Sequence, residues 1–220
     1  MTGAPAHLLR LMSWLSPVFP TGAYAYSAAL EQAVAAGNVT DAQSLQEWLT
    51  ALLDAGPQWN DAVFFAAAWR AAGDEATIAE IAALARAMTG SAERHRETID
   101  QGTGFLEAAA NWFEEDALPP RGTPLCVAVG VACGRDGIAL GDAMQAFLHA
   151  FVANQLQVAI RLSVTGQRGA AKLLAGLEPV IARVAKRAAS STLDDLGSST
   201  VLADIAAMKH ETLSSRLFLS

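Results

Sequence analysis

Leu125-Cys126-Val127-Ala128-Val129-Gly130-Val131 is the stretch on which the fold class turns. It is the one run in the chain that looks like a β-strand, rich in valine. Its flanks are equally compatible with helix, and period-two alternation is scarce elsewhere. Alanine, the best helix former, is abundant throughout. The stretch therefore reads as helix. The fold class follows: all-α, a single-domain bundle of roughly ten helices with no significant sheet.

Outward from this stretch, Ala117-Leu118-Pro119-Pro120-Arg121-Gly122 is the clearest central loop. It is too short to link independent domains, so residues 1–220 read as one domain. Beyond it, helices are expected near 124–133, 138–164 and 167–190, then a polar loop framed by Ser190 and Ser199. A last helix is expected from about 199 to 212. On the other side, a short amphipathic segment near 6–15 leads into the proline-rich loop Ser16–Gly22. Helices are then expected near 24–36, stopped by Gly37-Asn38, and from Thr40 or Asp41 to Gly56-Pro57. Others run from Asn60 or Asp61 to Ala72, from Asp74 to Met88, and from Ser91 to about Phe113. Gly102 and Gly104 lie inside the last of these, where each costs about 1 kcal/mol against alanine. That cost points to close helix packing or a kink.

Composition narrows the function classes. Of 220 residues, 52% are hydrophobic and only 17% charged, with mean hydropathy +0.27. This excludes a disordered chain. The longest apolar run, Ala62 to Trp69, falls well short of the roughly 18–20 residues of a membrane span. With no signal-peptide arrangement at the N-terminus, the expectation is a cytoplasmic protein. Cys126 and Cys133 suit neither a disulfide framework nor a zinc site. A net charge of −7 argues against nucleic acid. Soluble domains carry about 25% charged residues, so the deficit suggests apolar surface covered by a partner or a second copy. The alternative is simply an alanine-rich helical core.

Catalytic constellations are missing. His7, His95, His149 and His210 are scattered, and there is no HExxH, CxxC, phosphate-binding glycine loop or GxSxG. Asp194-Asp195 falls in a loop-like stretch, and Glu114-Glu115-Asp116 reads as a solvated helix end. The dense run Glu93-Arg94-His95-Arg96-Glu97 reads as a solvated helix face. As a metal site it would suffer from two arginines that repel a cation. Between Ala159 and Arg187 lie Arg161, Arg168, Lys172, Arg183, Lys186 and Arg187 against the single acid Glu178. This is a basic face paired within the molecule, or a docking patch for an acidic partner surface. Tyr24 and Tyr26, the only tyrosines, follow a loop stiffened by proline and glycine. Both rings pack in the core, or they form a rigid surface anchor. The Leu217-Phe218-Leu219 tail is too apolar to float free in water, and should dock.

Ser16-Pro-Val-Phe-Pro-Thr-Gly-Ala-Tyr-Ala-Tyr-Ser27, followed by Leu30-Glu31, resembles the N-terminal signature of the urease accessory protein F family. The terminus, His210-Glu-Thr-Leu-Ser-Ser-Arg-Leu-Phe-Leu-Ser220, is similar to that family's closing motif. Gly197–Thr200, Asp204–Met208, and Glu93-Arg94 with Gly102 also match, so the likeness covers essentially the whole chain. Three positions depart from the pattern: no proline in Arg161–Gln167, Ala29 where glycine is usual, and Ser214 where tyrosine is usual. The missing proline would let the preceding helix continue further toward Gly166.

The resemblance implies an all-α homodimer without catalytic activity of its own. It implies an adaptor that recruits the nickel-binding GTPase, accessory protein G, to a D/H-type accessory protein. Nickel insertion into the urease apoprotein would proceed through that complex, with modulation of GTP hydrolysis. Nickel and GTP would be handled by the partners, with no cofactor or metal held by this chain. Partner-binding roles are implied for Tyr24, Glu31, Arg161, Lys209, His210, Arg216, Leu217 and Phe218, and Tyr24 and Arg216 match positions tied to GTPase recruitment. Arg161 or Arg216 would be the candidate to stabilise transition-state charge on a GTPase. The N-terminal segment (about 1–22) and the tail (about 212–220) would be ordered by partners. Two other readings compete: a nickel carrier binding the metal directly, and an all-α enzyme on a small apolar substrate, which predicts a deep pocket with perturbed carboxylates.

Overall fold

The computed structural model describes residues 4–114 and 117–220, and is helical throughout, with no strand among the described residues. Glu115 and Asp116, part of the expected acidic helix end, lie outside the described residues. The helices are α1 (Ala4–Trp14), α2 (Leu30–Ala35), α3 (Ala42–Ala55), α4 (Pro57–Arg70), α5 (Glu75–Ala87), α6 (Ala92–Ala109), α7 (Leu125–Arg135), α8 (Leu140–Arg161), α9 (Gln167–Ala188) and α10 (Val201–His210). Short 3-10 turns span Ala23–Ala25, Ala110–Trp112 and Leu193–Asp195. No helix among the described residues is long and apolar enough to cross a membrane.

The valine-rich stretch is helical, as α7, and every side chain from Cys126 to Cys133 is buried. A helix apolar all round must be enclosed on every side, and α7 is packed by α4, α5, α6 and α8. Burial there outweighs the weak helix preference of its valines. The most extensive packing is α7 along α4, where a Cβ on Gly130 would lie 2.6 Å from the Phe65 carbonyl oxygen. Around this pair, α8 and α9 lie together and α9 closes over α3. One hydrophobic core runs through helices on both sides of the 117–122 loop.

Side-chain caps set several helix starts. Asp41 accepts from the Ser44 amide at 2.9 Å while Ser44 Oγ accepts from the Asp41 amide at 3.0 Å. Asp74 and Ser91 cap α5 and α6 in the same way, through the amides of Thr77 and Arg94. Gly102 and Gly104 are closely packed, but chiefly against loops rather than along a helix: a Cβ would meet the Thr123 carbonyl at 2.1 Å and the Pro20 carbonyl at 2.7 Å.

Three expectations are corrected. Residues 24–36 are not one helix: Ala28 (φ 48°) and Ala29 (φ 66°) are left-handed and separate the 3-10 turn from α2. Ala29 adopts the conformation that glycine, usual at this position in the resembled family, would take without strain. Next, α4 starts at Pro57 rather than Asn60 or Asp61, because proline at the first helical position loses no hydrogen bond. Finally, α8 does not run on toward Gly166. Ser163 turns left-handed (φ 62°), and the Val164 amide folds back onto the Ala159 carbonyl at 2.9 Å.

Candidate functional site

The two ends of the sequence signature meet in space. The tail after α10 is irregular, a succession of turns and bends, with Phe218 and Ser220 buried and Leu217 and Leu219 exposed. A segment without regular structure must find partners for its buried amides, and Glu31 on α2 supplies two of them. Its carboxylate accepts from the Leu217 N–H at 2.8 Å and the Phe218 N–H at 3.1 Å. The Leu219 N–H donates to the Ala25 carbonyl at 2.8 Å, and the Ser27 N–H donates to the Ser220 oxygen at 2.8 Å. The Ser27 hydroxyl donates to that same oxygen.

Behind the tail lies a buried charge network. His210 is fully enclosed, with Nδ1 2.6 Å from Glu93 and Nε2 3.2 Å from Glu31. A carboxylate only accepts, so both contacts are hydrogen bonds at once when both ring nitrogens carry protons. Arg216 donates to the other oxygen of Glu93. Next to Glu93 on α6, Arg94 pairs with Asp61 and lies 3.5 Å from Glu97, one turn along, which also accepts from the Ser220 hydroxyl at 3.1 Å. Burial pushes the Glu97 carboxyl above the usual carboxylate range, against the opposing pull of Arg94 and Ser220. The run expected to be a solvated helix face is thus a buried ion-pair cluster. Glu93, Arg94 and Glu97 face α10, α4 and the tail, and only His95 and Arg96 are exposed.

The tyrosines divide between their two readings. Tyr26 is buried and donates to Asp100 at 2.8 Å, and burial together with that bond pushes its phenol upward. Tyr24 is 74% exposed, at the crest of the 3-10 turn. Its backbone is held nonetheless: Arg161 donates to the Tyr24 carbonyl at 2.8 Å, and Asn154 to the Ala23 carbonyl at 3.2 Å. The same Arg161 guanidinium lies 4.1 Å from the centre of the Phe218 ring.

Tyr24, Glu31, Arg161, His210, Arg216, Leu217 and Phe218 therefore come together, although up to 194 positions separate them in sequence. Lys209 is exposed on the last turn of α10 and joins none of these bonds. Ser27, Asp61, Glu93, Arg94, Glu97 and Ser220 belong to the assembly and were not singled out as site residues. The basic segment is paired in part: Arg183 with the Asp54 carboxylate at 2.6 Å, and Arg187 with the Asp54 carbonyl and the Trp59 ring. Arg168, Lys172 and Lys186 are exposed on α9.

A cavity of about 230 Å³ lies beside the network, lined by Gln58, Phe64, Met88, Arg94, Glu97 and Asp204 among others. Small-molecule sites usually offer about 300–1,000 Å³. Apart from Asp204, whose carboxyl burial pushes up, its acidic side chains are engaged in the ion pairs described above. Among the described residues no three His, Cys, Asp or Glu side chains converge to hold a metal ion. Both cysteines are buried, and burial pushes both thiols up.

Comparison with known proteins places this arrangement. The UreF family model matches residues 39–178. Urease accessory protein UreF of Mesorhizobium japonicum is 53% identical over the whole of both chains. That of Brucella ovis is 54% identical over 97% of this chain and 94% of its own, and that of Agrobacterium fabrum is 50% identical over 98% and 97%. The tail–α2 junction sits outside the span of the family model, yet the Mesorhizobium japonicum relative, matched over the whole chain, covers it. On the family match and this identity over the full length, the chain belongs to the UreF family of urease accessory proteins.

Proposed function

We propose that this protein is the adaptor that brings a nickel-binding GTPase, accessory protein G, to a D/H-type accessory protein for nickel insertion into the urease apoprotein. It acts in the cytoplasm as a homodimer, modulates GTP hydrolysis by its partner, and carries no catalytic group. The observation that carries this reading is the tail–α2 junction. It leaves Tyr24 in the open, on a backbone held by Arg161 at the Tyr24 carbonyl and by the exposed Leu219 at the neighbouring Ala25 carbonyl. An aromatic presented on a rigid backbone suits a binding hot spot.

Two further surfaces support an adaptor. On α1, Leu8, Leu9 and Met12 are each more than half exposed, and on α10 so are Val201, Leu202 and Met208. Exposed apolar patches on helices favour docking against another chain. Nickel and GTP stay with the partners in this reading, and both ring nitrogens of His210 are already taken by carboxylates. The tail and the segment before Gly22 gain further order against the D/H-type partner.

Co-expression with the D/H-type partner, then capture of the GTPase with GTP and Mg²⁺, tests the reading. Wild type should capture it, and Tyr24→Ala and Arg216→Ala should not. Failure of the wild-type complex to capture the GTPase would sink the proposal.

A further inference from the structure

We propose that the cavity between α4, the α5–α6 turn and α10 is a binding site for a small primary alkylammonium, with Asp204 and Gln58 receiving its head. Such a site lies beyond the adaptor reading and stands apart from it.

Two polar groups on the cavity wall lack a donor of their own. Gln58, in the first turn of α4, is 3% exposed, and its amide oxygen has no hydrogen-bond partner. A buried acceptor left without a donor is costly, and native folds rarely keep one without a use. Asp204, in the first turn of α10, is half-buried, and burial disfavours its charge. Among the described residues no basic side chain pairs with it, and the Ser198 hydroxyl is its side-chain partner. The other carboxylates on the wall are answered within the chain: Asp61 and Glu97 by Arg94, and Glu93 by His210 and Arg216. Both open positions are acceptors, so the ligand they suit is a donor, and the negative one favours a cation.

The rest of the wall sets the body of that ligand. Leu52, Phe64, Met88, Ala203 and Ala207 line it with apolar surface. An apolar cavity of about 150 Å³ takes up benzene. The 230 Å³ here suits an alkyl chain of a few carbons together with its ammonium head. An anion would meet the carboxylates of Asp61, Glu93, Glu97 and Asp204 against the single guanidinium of Arg94. A divalent ion would lack a ligand set, since among the described residues no three metal-ligating side chains converge. Met88, Gly90 and Ser198 on the wall are exposed, so the cavity reaches the surface.

The probe is n-butylammonium chloride, titrated into the full chain near neutral pH while backbone amide shifts are followed. Sodium chloride at the same ionic strength is the blank. Amides of Gln58, Asp204 and the 88–91 turn should shift saturably, with a Kd at or below about 10 mM. Asp204→Asn keeps the size and loses the charge, and Gln58→Leu removes the acceptor. Each should weaken binding by about tenfold or more, with the shifts of α7 amides as the control for folding. The uncharged n-butanol should bind more weakly by a similar factor, and equal binding would show that the acceptors are not used and overturn the proposal. Acetyl-lysine methylamide carries the same head on a bulkier stem. Binding about tenfold weaker than butylammonium assigns the cavity to a free amine. Equal binding assigns it to the tip of a partner's lysine and overturns the free-amine site. No saturable shift at these amides, or affinity within about twofold of wild type in both variants, also overturns it.

Discussion

Glu97 shows what one buried carboxylate does to the pH dependence of the fold. Burial raises its folded pKa above the unfolded value, in spite of Arg94 at 3.5 Å and the Ser220 hydroxyl at 3.1 Å. A raised carboxyl pKa gives stability that is present below the unfolded pKa and lost as pH rises through the folded one. Glu97→Gln removes that titration. Relative to wild type, the variant should therefore gain stability as pH rises from acid toward neutral, as measured by urea unfolding at stepped pH. A difference between the two that does not vary with pH would show that Glu97 carries no such burden. Ala28 gives a simpler case. It is half-buried at φ 48°, and Ala28→Gly should raise unfolding free energy by about 0.5–1 kcal/mol, because glycine takes that conformation freely. At Ala29 the gain should be smaller, since a buried methyl is lost as well. The charge run of α6 was misread for a definable reason. Counting charges suggests a wet face, but the apolar stripe of Phe105, Leu106 and Ala109 continues backward at helical spacing through Gly102, Gln101, Thr98, Glu97 and Arg94. Following the stripe, rather than the residue types, would have placed those side chains inside.

Between elements, the α4–α7 contact leaves no room for a small change. A methyl at Gly130 would sit 2.6 Å from the Phe65 carbonyl and 3.2 Å from the Ala68 methyl, both on a helix held in the middle of the core. Backbone cannot swing aside as a flexible side chain can. Gly130→Ala should therefore destabilise by about 1–3 kcal/mol, the usual cost of overpacking, despite alanine's better helix propensity. Thermal unfolding checks the sign; a variant at least as stable as wild type would mean that α4 and α7 slide apart freely. Most helices could be read from caps and glycine stops because those signals are local: Asp41, Asp74 and Ser91 act within three residues of their partners. The ends that were misjudged depend on backbone states that side-chain type does not announce. Alanine at 28 and 29 and serine at 163 stand in left-handed conformations that local sequence disfavours and long-range contacts enforce.

Across the whole molecule, stability is distributed unevenly. The centre, α4 with α7, is apolar and close-packed, whereas α10 buries only Ala203, Ala206 and His210 and leaves Val201, Leu202 and Met208 exposed. What holds α10 and the tail to the body is chiefly polar: Glu31 to two tail amides and His210, Glu93 to His210 and Arg216, Ser27 to Ser220. Such a unit should open before the rest unfolds. Its tendency to dock was legible from the apolar tail, but its address was not, because the receiving carboxylates lie on helices far away in sequence. Glu31→Gln tests the division directly. The amide keeps one acceptor oxygen but loses the charge that faces His210 and the second acceptor for the tail. Hydrogen bonds to a charged group contribute about 1.5–3 kcal/mol. Exchange of α10 and tail amides should thus accelerate by roughly 10- to 100-fold while amides of α4 and α7 keep their wild-type rates. Equal acceleration in α4 and α7 would mean that the molecule opens only as a whole. If the unit is separable, a partner that engages the docked tail stabilises it by mass action, by an amount that grows with partner concentration over its dissociation constant. The weak end of this fold is then the end whose order an assembly can control.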